Sequence, residues 1–80
     1  MSTLGTVIAA NVRGERARQR LRQADLAERL GWALSTVGDL ESGKRRVGAD
    51  DIPQLCEALG ISLMDLLRGA DPEDLHRMGL

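Results

Sequence analysis

The sequence predicts an all-α fold, with five compactly packed helices and a short extra helix at the C-terminus. Three observations carry this. Tyr and Phe are absent, Trp occurs once, and Val and Ile together number seven, so the β-branched and aromatic residues that strands favour are scarce. Leu, Ala, Arg and Glu dominate, and all of them suit helices. Finally, Gly31, Gly43, Gly60, Gly69 and Gly79 each follow an apolar-periodic stretch, where a helix C-terminus takes a residue with positive φ.

The first helix is expected over about Thr6–Arg20, with a stripe of Ile8, Ala9 and Val12 and with Arg13 and Arg16 beside it. Gly14 lies inside it and costs about 1 kcal/mol relative to Ala. The second helix is expected over about Gln23–Leu30, burying Leu26, Ala27 and Leu30, and is followed by the very short turn Gly31-Trp32-Ala33. The third, about Leu34–Ser42, turns Val37 and Leu40 inward and precedes the basic loop Gly43–Gly48. The fourth, about Asp50–Leu59, buries Ile52, Leu55, Cys56 and Leu59 and tolerates Pro53 in its first turn. The fifth begins at Ser62, with Asp65 three residues later as a variant capping pair, and buries Leu63, Leu66 and Leu67. Asp71-Pro72 combines an N-cap with proline at the first helical position and opens a sixth helix to about Met78. No internal repeat or low-complexity stretch interrupts this pattern.

Eighty residues leave room for one small domain, 1–80. Hydrophobic residues at 42% and charged residues at 29% are a globular balance, which argues against disorder and against a fibrous repeat. No apolar run approaches the ~20 residues of a membrane span, and the N-terminus shows no secretory pattern, so a cytoplasmic protein is expected. The single cysteine cannot form an internal disulfide, and one Cys with one His is too few for a zinc site, so neither metal nor cofactor is expected. A core this small is thin, which favours closely packed helices and self-association.

The formal net charge of −1 conceals a strong asymmetry. Residues 1–46 carry nine Lys or Arg against five acids, a net +4; residues 47–80 carry two against seven, a net −5. A polyanion responds to local potential, so such an asymmetry can orient a chain on DNA; on charge alone a solvated basic helix face is the equal alternative.

The informative stretch is Gln23–Gly43, QADLAERLGWALSTVGDLESG. Two short helices with almost nothing between them cross steeply only if the contact point is small. Ala27 supplies that contact, Gly31 makes the turn, and Val37 and Leu40 plug the second helix into the core. These are the physical requirements of a helix-turn-helix.

From here the chain resembles the Cro/repressor-type helix-turn-helix domains of phage repressors and bacterial XRE-like regulators. The resemblance runs from about Ile8 to Leu67. It rests on Ile8…Val12-Arg13…Arg16, on Gln23-x-x-Leu26-Ala27-x-x-Leu30-Gly31, on Thr36-Val37-x-x-Leu40-Glu41-x-Gly43-Lys44-Arg45-Arg46, and on Leu55…Ala58-Leu59-Gly60-Ile61-Ser62.

The resemblance implies a repressor-like fold with roles for individual residues. Gln23 would bond a DNA phosphate beside the second helix's amides. Arg16 and Glu41 would form a structural salt bridge between the first and third helices. The third helix would lie in the major groove, presenting Ala33, Leu34, Ser35, Gly38 and Asp39 to base edges. None of these five is Arg, Gln or Asn, so discrimination leans on thymine methyls against Ala33 and Leu34, on Ser35, on Asp39 accepting from cytosine, and on DNA shape. Lys44, Arg45 and Arg46 would run beside phosphates, with Arg13, Arg22 and Ser42 flanking the same surface. Two residues depart from the family pattern. Ala33 stands where Ser or Thr usually caps the third helix, and Trp32 replaces a smaller aliphatic residue. Trp32 reads as a cap on the core between the two helices, with contact of its indole N–H to the DNA backbone as the alternative. Cys56 reads as a small core residue, and His76 lies near the C-terminus with nothing beside it to make it a catalyst or ligand.

In the acidic segment 62–80, Leu63, Met64, Leu67, Leu75 and Met78 are assigned to a homodimer interface; the opposing reading folds the last helix back over its own core. The leading function is a sequence-specific DNA-binding transcriptional regulator, a repressor of a palindromic operator. The alternative is a protein-interaction module, such as an antitoxin or bridging factor, whose acidic half docks a second protein. No nucleophile constellation, paired acid and base, or phosphate-binding glycine loop supports an enzyme.

Overall fold

The structure, a computed structural model, describes residues 3–80 and is all-helical among them. Six helices follow one another: α1 Leu4–Arg18, α2 Gln23–Leu30, α3 Leu34–Glu41, α4 Asp51–Leu59, α5 Leu63–Leu66 and α6 Pro72–Arg77. The chain packs into 34 × 23 × 21 Å.

Helix α1 begins two residues before the expected start because the Thr3 hydroxyl accepts the Thr6 N–H at 3.2 Å, which caps the helix ahead of Leu4. It also stops two residues early. Arg20 takes a left-handed conformation (φ 59°), and Leu21 N–H closes back on the Arg16 carbonyl at 3.0 Å. That closure ends a helix whatever the side chain, although a non-glycine residue is strained there. Helices α2 and α4 end the same way on glycine: Gly31 at φ 70° and Gly60 at φ 65° each let the next residue's N–H return to the preceding turn. Helix α5 opens on a reciprocal cap, Ser62 Oγ accepting the Asp65 N–H while Asp65 accepts the Ser62 N–H.

The core is one cluster: Ile8 and Val12 from α1, Leu26 and Ala27 from α2, Val37 and Leu40 from α3, Leu55 and Leu59 from α4, then Leu66, Leu67 and Ala70. Ala27 is buried where α2 meets its neighbours, and its small side chain lets α3 cross close by. Ile52 and Cys56, expected inside, are only half-buried at the rim of this cluster.

The C-terminal segment needs two corrections. Leu67, assigned to an interface, is 3% exposed and belongs to the core. Leu63, expected to be buried, is 39% exposed. Helix α5 is a single turn, so its apolar stripe is too short to bury both ends. Leu66 and Leu67 turn inward with Ala70, while Leu63 stays at the rim beside Met64. Leu75 packs half-buried against the core, so α6 folds back on its own chain, and Met78 remains exposed.

Long polar side chains tie the helix ends together. Asn11 Nδ2 donates to the carbonyls of Leu66 (2.6 Å) and Arg68 (2.8 Å). Gln19 Nε2 donates to Leu59 O at 2.7 Å and Arg29 to Ala58 O at 3.0 Å. The carbonyls of Leu66, Leu59 and Ala58 are ones that a helix C-terminus leaves without a partner; that of Arg68 lies in the turn after α5.

Candidate nucleic-acid interface

Helix α3 is amphipathic in a way that determines what it presents. Val37, Leu40 and the Glu41 side chain are buried; Ala33, Leu34, Ser35 and Asp39 are exposed and Gly38 is half-buried. Leu34 is 54% exposed in the first turn of the helix. No side chain caps α3, and its first turn carries no acid, so its N-terminal end is open and electropositive. Around Gly38 there is open space where a Cβ would project.

One buried carboxylate fixes this helix. Glu41 Oε2 accepts from Arg16 Nε at 2.7 Å and Oε1 from Arg16 Nη2 at 3.0 Å, a bidentate pair. The hydrogen bond to Glu41 raises the Arg16 pKa further. Gln23 Nε2 donates to the same Oε1 at 3.1 Å, and Arg13 donates to the Glu41 backbone carbonyl. Arg16 also reaches Leu21 O at 2.8 Å. Glu41 therefore joins α1, α2 and the C-terminal end of α3.

The residues expected at phosphates fall into two groups. Lys44 and Arg46 are exposed and have no partner among the described residues. The others are engaged within the chain. Arg13 and Gln23 lie on Glu41. Arg22 pairs with Asp25 at 3.1 Å, and Asp25 also takes the Arg22 backbone N–H at 2.8 Å. These contacts hold the Asp25 carboxyl below the usual carboxylate range and the Arg22 guanidinium above its own. Ser42 Oγ donates to the Asp39 carbonyl at 3.2 Å, which also receives the backbone N–H groups of Lys44 (2.9 Å) and Arg45 (3.1 Å).

Arg45 meets two groups at once. Its guanidinium carbon stands 4.9 Å from the centroid of the Trp32 ring, and its Nη2 lies 3.3 and 3.4 Å from the two Asp51 carboxylate oxygens. Trp32 itself packs half-buried against the core between α2 and α3. Asp51, which sequence reasoning passed over, is buried and accepts the Gly48 N–H at 2.8 Å. The three-residue spacing from Gly48 to Asp51 at a helix start was the available signal. Glu15 was passed over too; it is buried and pairs with Arg18.

Two short helices at a tight glycine turn, the second presented outward on a rigid core, define a helix-turn-helix protein. The family model described as a helix-turn-helix domain matches residues 7–76, and the chain belongs to that family. Among solved structures it is similar to the restriction-modification controller protein C.AhdI from Aeromonas hydrophila, with 32% identity and a TM-score of 0.71 over 78% of this chain and 94% of that one. It is similar to the clp gene regulator ClgR from C. glutamicum, with 28% identity and a TM-score of 0.78 over 84% of this chain and 87% of that one. It also resembles the hypothetical transcription factor NHTF from Neisseria, with 25% identity and a TM-score of 0.76 over 95% of this chain and 85% of that one. The chain is thus a DNA-binding helix-turn-helix regulator of the XRE and controller-protein type. No helix among the described residues is long and apolar enough to cross a membrane.

Proposed function

We propose that this regulator represses transcription by binding a palindromic operator as a homodimer. The observation that carries the reading is the exposed face of α3, with Leu34, Ser35 and Asp39 outward and the helix braced from behind by Val37, Leu40 and Glu41. In this reading Ala33 and Leu34 meet thymine methyls, Ser35 and Asp39 bond base edges, and Gly38 lets the duplex approach closely. Lys44 and Arg46 contact phosphates directly. In this reading Arg13, Arg22, Gln23 and Ser42 add phosphate contacts by sharing or exchanging the partners they hold within the chain. Leu63, Met64 and Met78, all exposed, supply the apolar surface of a two-fold interface, with Leu75 at its edge. Two α3 helices then enter successive major grooves about 34 Å apart.

Selection of bound duplexes from a random pool at fixed salt tests this. The expected result is a two-fold symmetric site, with thymine enriched opposite Leu34 and that preference lost in Leu34→Ala. An enriched site without symmetry counts against the dimer; guanine dependence that follows Ser35 or Asp39 alone counts against the thymine contacts.

The acidic C-terminal part, with Met64, Met78 and Leu80 exposed beside it, favours one second reading: docking of a protein partner on that surface. Recovery of one stoichiometric partner from the native host by wild type, and not by Met64→Glu, would favour it.

A further inference from the structure

We propose that Arg45 is a positioning residue and not a phosphate contact. Held between the Trp32 ring and the Asp51 carboxylate, it clamps the 43–48 loop to the core and fixes where Lys44 and Arg46 stand. The inference rests on the DNA reading above and assigns this loop a different division of labour from a uniformly basic run.

Three observations converge on it. The Arg45 guanidinium lies over the Trp32 ring at 4.9 Å, so one of its faces is covered by the turn between α2 and α3. Its edge meets both oxygens of Asp51, and Asp51 is itself buried and held by the Gly48 N–H at 2.8 Å. The backbone of the same segment is pinned to the end of α3, since the Lys44 and Arg45 N–H groups both bond the Asp39 carbonyl. One side chain thus ties the loop to the turn before α3 and to the start of α4.

The physical consequence concerns entropy. A loop bounded by Gly43 and Gly48 has many conformations when free, and a duplex that bound it would have to order it. The clamp orders it beforehand. The Arg45 side chain keeps 40% of its surface exposed, so the ion pair alone would hold it weakly; the Trp32 ring on one face and the Asp51 carboxylate, 12% exposed, act on it together. Trp32 is the residue that departs from the small aliphatic the resemblance leads one to expect there.

The test uses the full-length protein, a random-sequence duplex of about 30 base pairs and a series of salt concentrations. The paired variant Arg45→Gln with Asp51→Asn removes the clamp without changing net charge. Trp32 is the only aromatic residue, so its emission reports the ring's surroundings directly. In the paired variant the emission shifts and becomes more accessible to acrylamide. Affinity falls on the order of fivefold, and the slope of log Kd against log salt stays as in wild type. A slope shallower by about one makes Arg45 a phosphate contact and overturns the proposal. Unchanged emission with unchanged affinity overturns it as well. Trp32→Phe keeps a ring under the guanidinium and binds within about twofold of wild type, whereas Trp32→Leu loses as much as the paired variant. Melting temperatures accompany each measurement; should Trp32→Leu unfold, the paired variant and Trp32→Phe decide. Failure of wild type to bind any duplex at low salt sinks the DNA reading, and the emission arm then decides separately whether Arg45 is clamped.

Discussion

Ala33 and Gly38 show how single positions on α3 trade stability against surface. Ala33 sits at the N-cap with extended backbone (φ −66°, ψ 150°) and no side-chain hydrogen bond to the first turn. A serine there has the right backbone and supplies the missing acceptor, so Ala33→Ser is expected to raise stability by about 1 kcal/mol, read as a higher Tm. An unchanged or lower Tm would mean the helix starts elsewhere. Gly38 is helical, and nothing lies within 4 Å of where its Cβ would stand. Gly38→Ala is therefore expected to add about 1 kcal/mol of stability. If α3 is the face a duplex approaches, the same methyl weakens DNA binding. Higher Tm with unchanged affinity would take Gly38 off the DNA surface.

Helix ends and helix junctions carry the next level of argument. Arg16 and Glu41 join α1 to α3 across 25 residues of sequence, with Glu41 almost wholly buried. Removing one partner strands a buried charge; removing both does not. Arg16→Met is expected to cost about 3 kcal/mol in denaturant unfolding, and Arg16→Met with Glu41→Leu distinctly less. Equal costs would show that the pair's charge is not what matters. Asp25 and Asp65 both accept backbone N–H groups at helix starts, from Arg22 and Ser62. Asp25 is held below the usual carboxylate range chiefly by the Arg22 side chain, and Asp65 chiefly by the Ser62 backbone N–H. Each is more acidic folded than unfolded, so its stabilising contribution is full above the unfolded pKa, about 4, and is lost as pH falls through the lower folded value. Wild type is expected to lose more Tm between about pH 5 and pH 2.5 than Asp25→Asn with Asp65→Asn. Parallel curves for the two proteins would refute that.

For the molecule as a whole, the question is what covers the C-terminal end. Leu63, Met64, Met78 and Leu80 are exposed on an 8.7 kDa chain, beside acids whose like charge opposes close approach unless they sit at an interface rim. Sedimentation at micromolar concentration is expected to give a species of twice the chain mass, and Met64→Glu a folded single chain whose Tm no longer rises with protein concentration, since Met64 is 54% exposed and outside the core cluster. A wild-type protein that sediments as one chain under these conditions removes the homodimer from the proposed function.

The two helices around Gly31, the stops at Gly31 and Gly60 and the caps at Ser62 and Asp71 were legible from residue order because each depends on neighbours within one turn of helix. The inward stripe of Val37 and Leu40, and hence which face of α3 is presented, was legible for the same reason: it follows from helical period alone. Where the polar side chains end was not. Nothing local ties Asn11 to Leu66, Arg45 to Trp32 and Asp51, or Gln23 to the Glu41 carboxylate, and nothing local places Leu67 inside and Leu63 at the rim. A charged or amide side chain reads as a surface group until the fold brings a distant carbonyl, carboxylate or ring within about 3–5 Å. Packing in three dimensions thus decided which of the nine cations in the first 46 residues bond within the chain, leaving Arg20, Lys44 and Arg46 without a side-chain partner among the described residues.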